Sequence, residues 1–373
     1  MPSESMPILL MSGGSAVGLN LIAALENRRD QIYLIATNSI ADAPGLFDCD
    51  EVFLVPSTDT RDDSFETRID QIFNETKPAL VIPCRDDDVL WLAAKMTRSP
   101  DWSAKGLCGC PELADAMLNK QKSADFCRKN DLPFVPSIQL NAPPQALISF
   151  AETQGLPLII KPAQGFASRH VSIVTDTQML LQCQGTPDMV AQKFVGNPEK
   201  ITQYLAGTQS HGVPLFHSFE EVKISLQTLI SPEGKILAVF ATKNTMRFGK
   251  SEQVTREENR SCLELAEKCA ATFADHGWRG PLNIQCQQSQ TGELLIIEFN
   301  GRFTGATSAR YYLGYDEVGM ALDAFASLPL PPPCLTGNST RIVRLPSSSP
   351  IPENDAQALT RNTHWKRSYT HPN

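Results

Sequence analysis

The sequence predicts an α/β protein with a parallel sheet in its N-terminal part and an α+β arrangement in the remainder. Residues 7 to 110 alternate short apolar runs with helical stretches, from PILLMSGG and LNLIAALENR to PALVIPC and DVLWLAAKM. Apolar runs separated by helices are typical of a parallel sheet covered on both faces. Further along, LPLIIKPAQGFASRHVSIV and PLNIQCQQSQTGELLIIEFN each place two apolar strands in succession, which favours hairpins.

Length and composition limit the classes of function. A chain of 373 residues predicts two or three domains. Its 42% hydrophobic and 20% charged content is that of a soluble globular protein, and no apolar run approaches the roughly 20 residues of a membrane helix. The ten scattered cysteines favour reduced thiols in a cytoplasm, and the start lacks the basic region of a secretory signal. A net charge of −8 argues against nucleic acid, so small-molecule partners are expected.

The first loop, SGGSAVG, lies between a strand and a helix, where backbone N–H groups can hold an anion. Gly13, Gly14 and Gly18 do not complete the G-x-G-x-x-G fingerprint, and no acidic residue clearly ends the second strand. We therefore favour a structural turn or a substrate-side loop over a dinucleotide site. Arg85, followed by Asp86, ends a later strand at the crevice where ligands of parallel sheets bind.

The middle of the chain begins with one or two helices from residue 111 that end at Pro133. Lys161 then ends a buried strand beside a loop of small residues, where it could meet a phosphate chain; a plain hairpin with a solvated lysine is the alternative. A polar stretch at 197–218 is interpreted as an insertion or mobile loop. The strands EEVKISLQTLI and ILAVFATKNTMRFG and the helix ENRSCLELAEKCAATFADHG follow it.

The segment LLIIEFNGRFTGAT places Glu298, Asn300 and Arg302 at every second position of a predicted strand. Alternation puts these polar side chains on one face and Ile297, Phe299 and Phe303 on the other. The polar row indicates either an ordinary half-exposed strand or the wall of a cleft that binds a cation and phosphate oxygens.

A fourth polar residue joins this row if Thr291 and Gly292 form a two-residue turn, because Gln285 then pairs directly with Glu298. Carboxylate and amide oxygens on adjacent strands are the ligands that magnesium or manganese prefers. The hairpin therefore predicts a candidate metal site.

Several segments, in this order, resemble the ATP-grasp enzymes, specifically the branch of the carbamoyl-phosphate synthetase large subunit and stand-alone carboxylate–amine ligases. They are LNKQKSADFCRKNDLPFVPS, PLIIKPAQGFASRHVSIV, MVAQKFVG, EEVKISLQTLISPEGK, GPLNIQCQQSQTGELLIIEFNGRF and LGYDE. The resemblance implies a pre-ATP-grasp domain at 1–112 and an ATP-grasp domain at 113–330 with a lid at about 125–195. A C-terminal strand and tail would occupy 331–373.

The resemblance also implies roles for individual residues. Two lysines and a flap would contact the ATP phosphates, a hinge would bind adenine, and an acid would bind ribose, with Glu199 and Glu220 as alternatives to Glu221 for that acid. Three residues would bind metal, and Arg302 with Lys161 would clamp the transferred phosphoryl group. The residues concerned are Lys120, Lys161, Gln164, Gly165 and Ser168 for the phosphates; Gln192, Lys193, Phe194 and Val195 for the hinge; Glu221 for ribose; and Gln285, Glu298 and Asn300 for metal. Lys193 and Gly301 depart from the usual acid and proline of the family.

The implied activity is ATP- and magnesium-dependent ligation, with manganese as an alternative metal. A carboxylate, such as that of an amino acid, would form an acyl phosphate that an amine displaces, between or within molecules. Arg310 and Arg85 are the candidate carboxylate anchors, weighed against structural roles for both. A nicotinamide oxidoreductase using the first loop and a non-catalytic nucleotide sensor stand as alternatives, and a homodimer is left open.

Overall fold

The computed structural model describes residues 5–25, 27–58, 63–165, 170–212, 221–247, 250–333, 340–345 and 349–368. Within these ranges the strands form three sheets of five, six and four strands. None of the helices in the described ranges has the length and apolar character needed to cross a membrane.

The N-terminal sheet contains four parallel strands, as the sequence predicts. Its strands are buried because helices and the C-terminal segment cover them. The elements are Met6–Met11 (β1), Ala16–Ala24 (α1), Ile32–Asn38 (β2), Glu51–Leu54 (β3), Ser64–Thr76 (α2), Leu80–Pro83 (β4), Asp86–Arg98 (α3) and Pro100–Ser103 (α4).

Helix α3 starts at the carboxyl end of β4, with Arg85 as its N-cap residue. Its first turn contains Asp86, Asp87 and Asp88, whose negative charges are favourable at the positive end of the helix dipole. The sheet thus presents an acidic helix start at its carboxyl edge.

Two short helices lead into a small antiparallel sheet of order β5-β8-β6-β7. The pairing of β6 with β7 confirms the predicted hairpin around Lys161. The sheet and the two helices inserted between its strands, Pro144–Gln154 and Thr177–Gln182, enclose an apolar cluster of their own. This cluster lies inside the range predicted for the lid. The elements are Pro111–Leu118 (α5), Lys120–Lys129 (α6), Ser137–Gln139 (β5), Pro144–Gln154 (α7), Leu158–Pro162 (β6), Ser172–Val174 (β7), Thr177–Gln182 (α8) and Met189–Lys193 (β8).

Within the polar stretch after β8, Pro198–His211 form a helix (α9), so the mobile-loop alternative for 197–218 is wrong for these residues, whereas the insertion alternative is not tested. The Asn197 side chain accepts a hydrogen bond from the Glu199 N–H, Pro198 occupies the first turn, and Gly212 ends the helix at φ +84°. Residues 213–220 lie outside the described ranges. These capping residues are a helix signal that the polar composition concealed.

The six-stranded sheet has the order β13-β12-β9-β10-β11-β14 and is antiparallel. One face, with Ile224, Leu226 and Ile284, is packed in the apolar core together with residues of α10. Strand β11 was not foreseen, whereas its partner β14 lies in the range 331–373, where a C-terminal strand was expected. The elements are Glu221–Ile230 (β9), Ile236–Arg247 (β10), Lys250–Arg256 (β11), Arg260–Asp275 (α10), Gly280–Gln288 (β12), Leu294–Asn300 (β13), Thr307–Tyr312 (α11), Glu317–Ala326 (α12) and Arg341–Val343 (β14).

The C-terminal segment returns to the N-terminal sheet through Glu353–Asn362 (α13) and His364–Lys366 (β15). Strand β15 pairs antiparallel with β3, which makes the fifth strand of that sheet. His364 stacks on Phe53 with a centroid distance of 4.3 Å, and its Nε2 lies 2.7 Å from a carboxylate oxygen of Glu51. The segment expected to be a separate strand and tail therefore contributes to two sheets.

Candidate active site

The hairpin of β12 and β13 pairs Gln285 with Glu298 and Asn283 with Asn300. The predicted pairing of Gln285 is confirmed, but the predicted two-residue turn is wrong. Ser289 and Glu293 are joined by a 2.8 Å backbone hydrogen bond, which leaves three residues in the loop. A register shift between Gln285 and Cys286 compensates for the additional loop residue.

The bulge also changes which side chains share a face. Ile297 was predicted beside Phe299, but it packs against a separate apolar cluster that contains Leu295 and Val195. Phe299 lies in the core beneath the large sheet, whereas Phe303 lies in the core of the N-terminal sheet. The apolar row therefore separates into three environments.

Glu298, Asn300 and Gln285, the predicted metal ligands, form one hydrogen-bonded group. The Gln285 side chain donates to Oδ1 of Asn300 at 3.2 Å, and the Asn300 amide donates to Oε1 of Glu298 at 3.3 Å. Asn300 is buried and the other two are half-buried. The group places one carboxylate and two carboxamides on neighbouring strands, while the described residues contain no cluster of three or more His, Cys, Asp or Glu suited to a metal.

Lys161 and Lys120 meet at the end of β6. The backbone N–H of Lys120 donates to Ala163, and its buried ammonium lies 3.5 Å from the carbonyl oxygen of Gly165. The pKa of Lys161 is lowered to about 7, chiefly by burial; Glu298 opposes this shift, and the charges of Lys120 and Lys223 add to it. A lysine with such a pKa is partly neutral when no ligand is bound. A bound anion favours the protonated form, so the position of Lys161 suits an anionic ligand.

Lys223 is a member of this group that sequence reasoning missed. It lies on β9, and its charge acts on Lys161. In VKISLQTLI the polar residues Lys223, Ser225 and Gln227 alternate with apolar ones, a period-2 pattern that marks a polar sheet face. Register places Ser225 beside Gln285 and Gln227 beside Asn283 on that face.

The predicted hinge, residues 192–195, begins within the last two residues of β8. Gln192 is buried and donates to the Ser137 hydroxyl at 2.8 Å, while Lys193 and Phe194 are half-buried. Val195 is buried in the cluster that Ile297 joins, so the predicted hinge borders the β12–β13 hairpin through apolar contacts.

The phosphate flap and the ribose acid are described only in part. Gln164 and Gly165 are exposed at the end of β6, and Glu199 lies in the first turn of α9. Glu221 begins β9, but its side chain lies outside the described set, as do Ser168 and Glu220.

Arg302 forms an ion pair with Asp86 of α3. Its Nε lies 2.7 Å from Oδ1, and its Nη2 donates to Oδ2 at 2.8 Å. Burial lowers the pKa of Arg302, but the negative charge of Asp86 and its hydrogen bond raise that pKa by more. The net shift of the pKa is therefore upward. The predicted phosphoryl clamp is thus held by the N-terminal sheet's helix, 216 residues away in sequence.

Arg310 does not line the cleft, and the prediction of a substrate anchor gives way to a structural role. Only 1% of its surface is exposed. It pairs with Glu317 of α12 and donates to the hydroxyl groups of Thr304 and Thr307, each at 3.0 Å. The spacing of Arg310 and Glu317 in sequence hid this pair because a short helix and a turn separate them.

Arg85 lies at the carboxyl edge of the N-terminal sheet, in a small pocket that it shares with Ser12, Thr37 and Asp88. Its guanidinium donates to Asp87 at 2.9 Å and is one-third exposed, so it is accessible. Burial raises the pKa of Asp88 in this pocket, although hydrogen bonds from Thr58 and Ser12 oppose the shift.

The first glycine loop serves packing. A Cβ at Gly18 would lie 2.0 Å from the carbonyl oxygen of Gly13, and one at Gly13 would lie 2.7 Å from Cβ of Ala36. The N-terminus of α1 is capped by Ser15, whose hydroxyl accepts from Gly18. Both observations favour the structural turn over a dinucleotide site.

Gly301, which departs from the family's proline, also has a packing explanation. A Cβ at this position would lie 2.5 Å from the Trp278 ring and 2.7 Å from Met117. Because proline carries a Cβ, the buried Trp278 makes glycine necessary between Asn300 and Arg302.

Two solved structures are similar to this chain in fold. N5-carboxyaminoimidazole synthetase from Staphylococcus aureus has a TM-score of 0.63 at 13% identity, covering 87% of this chain and 78% of that enzyme. The biotin carboxylase of Campylobacter jejuni, solved as a β-γ-ATP complex, has a TM-score of 0.65 at 14% identity, covering 92% and 75%. The chain has the ATP-grasp fold.

Sequence comparison adds little beyond this ATP-grasp fold. No family model matches the chain. The uncharacterized protein y4rH of Sinorhizobium fredii (strain NBRC 101917 / NGR234) is 22% identical over 212 residues, 52% of this chain and 38% of y4rH. The match therefore spans well under two thirds of that relative.

Proposed function

We propose that the protein is an ATP- and magnesium-dependent ligase that activates a carboxylate as an acyl phosphate and couples it to an amine. The observation that carries this proposal is the convergence of three lysines with the Glu298 group. The positive charges of Lys120 and Lys223 lower the pKa of Lys161, and the negative charge of Glu298 raises it. Such an excess of cations suits polyanionic phosphates.

The residues present fit a magnesium nucleotide. Magnesium is usually held by one or two carboxylates together with phosphate oxygens, so Glu298 with the carboxamides of Gln285 and Asn300 is a sufficient protein contribution. Bound magnesium would offset charge on the phosphates. The lowered pKa of Lys161 supports the same assignment, because its ammonium is incompletely compensated by the protein.

Different residues of the chain bind the nucleotide and orient the reacting groups. Lys120 and Lys161 hold the phosphate chain, and the residues from Gln192 to Val195 bind adenine. Ribose is bound by Glu221 or by one of its alternatives, Glu220 and Glu199. Arg302 orients the γ-phosphoryl group for in-line attack by the substrate carboxylate, which gives ADP and an acyl phosphate. The amine attacks the acyl carbon and phosphate leaves.

The carboxylate remains the open half of the proposal. Arg85 is the better of the two anchors, since it is accessible whereas Arg310 is buried. The likeness to the biotin carboxylase domain of the Hydrogenobacter thermophilus 2-oxoglutarate carboxylase, solved with MgADP and bicarbonate, makes bicarbonate a second candidate acid, in which case the product would be a carboxylated amine. We propose the cytoplasm as the compartment, where the free thiols of the described cysteines would stay reduced.

A phosphate-release screen tests the function. Amino acids singly and in pairs, and bicarbonate with amines, are supplied with ATP and magnesium, and the nucleotide product is identified by chromatography. The proposal requires ADP and phosphate. AMP with pyrophosphate would reject the acyl-phosphate route, and protection by NAD rather than ATP in a thermal-shift assay would favour the oxidoreductase instead.

A further inference from the structure

The ion pair between Arg302 and Asp86 joins two parts of the fold. Asp86 is the first residue of α3, at the carboxyl edge of the N-terminal sheet, and Arg302 follows β13 of the large sheet. The two side chains are only 14% and 19% exposed, so water competes weakly for the contact. An ion pair of this kind, in which Nη2 also donates a hydrogen bond to the carboxylate, limits the orientations of the guanidinium.

The hydrogen-bond inventory of Arg302 shows what remains for a ligand. Nη2 donates to Oδ2 of Asp86 and Nη1 donates to the Phe303 carbonyl oxygen at 3.1 Å, whereas the buried Nε lies 2.7 Å from Oδ1 of Asp86 without forming a hydrogen bond. A guanidinium has five N–H donors. Besides the Nε–H, one donor on Nη1 and one on Nη2 therefore have no hydrogen-bond partner among the described residues, and two such donors match two oxygens of a phosphoryl group.

We propose that Asp86 is a positioning residue for phosphoryl transfer: it holds the edge of Arg302 so that the two remaining N–H groups face the γ-phosphate. This inference rests on the proposed function. Asp86 has no contact with the nucleotide in this arrangement and acts only through Arg302. Its neighbour Asp87 pairs with Arg85 instead, which makes Asp87 a matched control on the same helix turn.

The test compares a non-hydrolysable ATP analogue with ADP, both with magnesium, by calorimetry. Asp86→Asn should weaken binding of the analogue by about tenfold and leave ADP binding unchanged, since only the analogue carries the γ-phosphate. Asp87→Asn should change neither. Asp86→Glu, which keeps the charge, should recover part of the loss.

A double-mutant cycle then asks whether the effect passes through Arg302. In an Arg302→Lys background, Asp86→Asn should have no further effect on the analogue, because lysine cannot use the same two-point contact. An additive loss in that background, or unchanged analogue binding in Asp86→Asn alone, would overturn the role of Asp86. Equal losses for analogue and ADP would show a structural role and overturn it as well.

The binding measurements separate failure of the proposed function from failure of the positioning role of Asp86. If the wild-type protein binds neither nucleotide, the proposed function itself is refuted. If ADP binds normally and Asp86→Asn has wild-type affinity for the analogue, only the positioning role is lost.

Discussion

The lowered pKa of Lys161 predicts that affinity for ATP depends steeply on pH. Burial lowers this pKa to about 7 in the free protein, against an ordinary value of 10.5. If the triphosphate binds only the protonated lysine, the dissociation constant is multiplied by a factor that grows with the neutral fraction. That factor is about 2 at pH 7, about 10 at pH 8 and about 100 at pH 9.

Calorimetry checks this prediction through both affinity and proton uptake. Titrations with ATP and magnesium at pH 8, in two buffers of different ionisation enthalpy, should show uptake of nearly one proton for each nucleotide bound. Lys161→Met should bind weakly and lose the pH dependence, whereas the same change at the exposed Lys243 should retain it. A dissociation constant that stays level from pH 7 to pH 9 would refute the reasoning.

Three further predictions concern two buried polar side chains and one predicted metal ligand. Gln227 is buried with neither amide atom hydrogen-bonded among the described residues, so Gln227→Leu should raise the free energy of unfolding by about 1 to 3 kcal/mol in urea titrations, whereas the same change at the paired Gln192 should lower it. Arg310→Ala should lower it by about 3 to 5 kcal/mol because Glu317 is left as a buried, unpaired charge, and replacing both by apolar residues should restore most of the loss; a small effect of the single change would contradict the ion pair. Glu298→Gln should reduce ADP formation by orders of magnitude with little change in melting temperature, and near-normal turnover would remove Glu298 from the site.

The N-terminal sheet was predictable because its signals are local. Each buried strand and helix there carries its own apolar pattern, and parallel order follows from their alternation. The pairing of Gln285 with Glu298 was also predictable, although for an incomplete reason. Pairing depends on loop length plus bulges, and a three-residue loop with one bulge gives the same register as a two-residue loop without one.

The partners of the arginines could not be predicted, since they depend on how elements distant in sequence pack. Nothing near Arg302 in sequence points to Asp86, and nothing near Arg310 shows that it becomes buried. Lys223 was within reach of sequence reasoning. Its alternation with Ser225 and Gln227 indicates that it belongs to the polar face, but the apolar residues between them made the segment resemble a buried strand.

The pairing of β15 with β3 has a consequence for the order of events during synthesis. The edge of β3 remains unpaired until His364–Lys366 leave the ribosome, so the sheet that is translated first is completed last. Until then its free edge can pair with other chains. A nascent chain halted before residue 364 should therefore recruit chaperones or aggregate, even though most of its domains have already been translated.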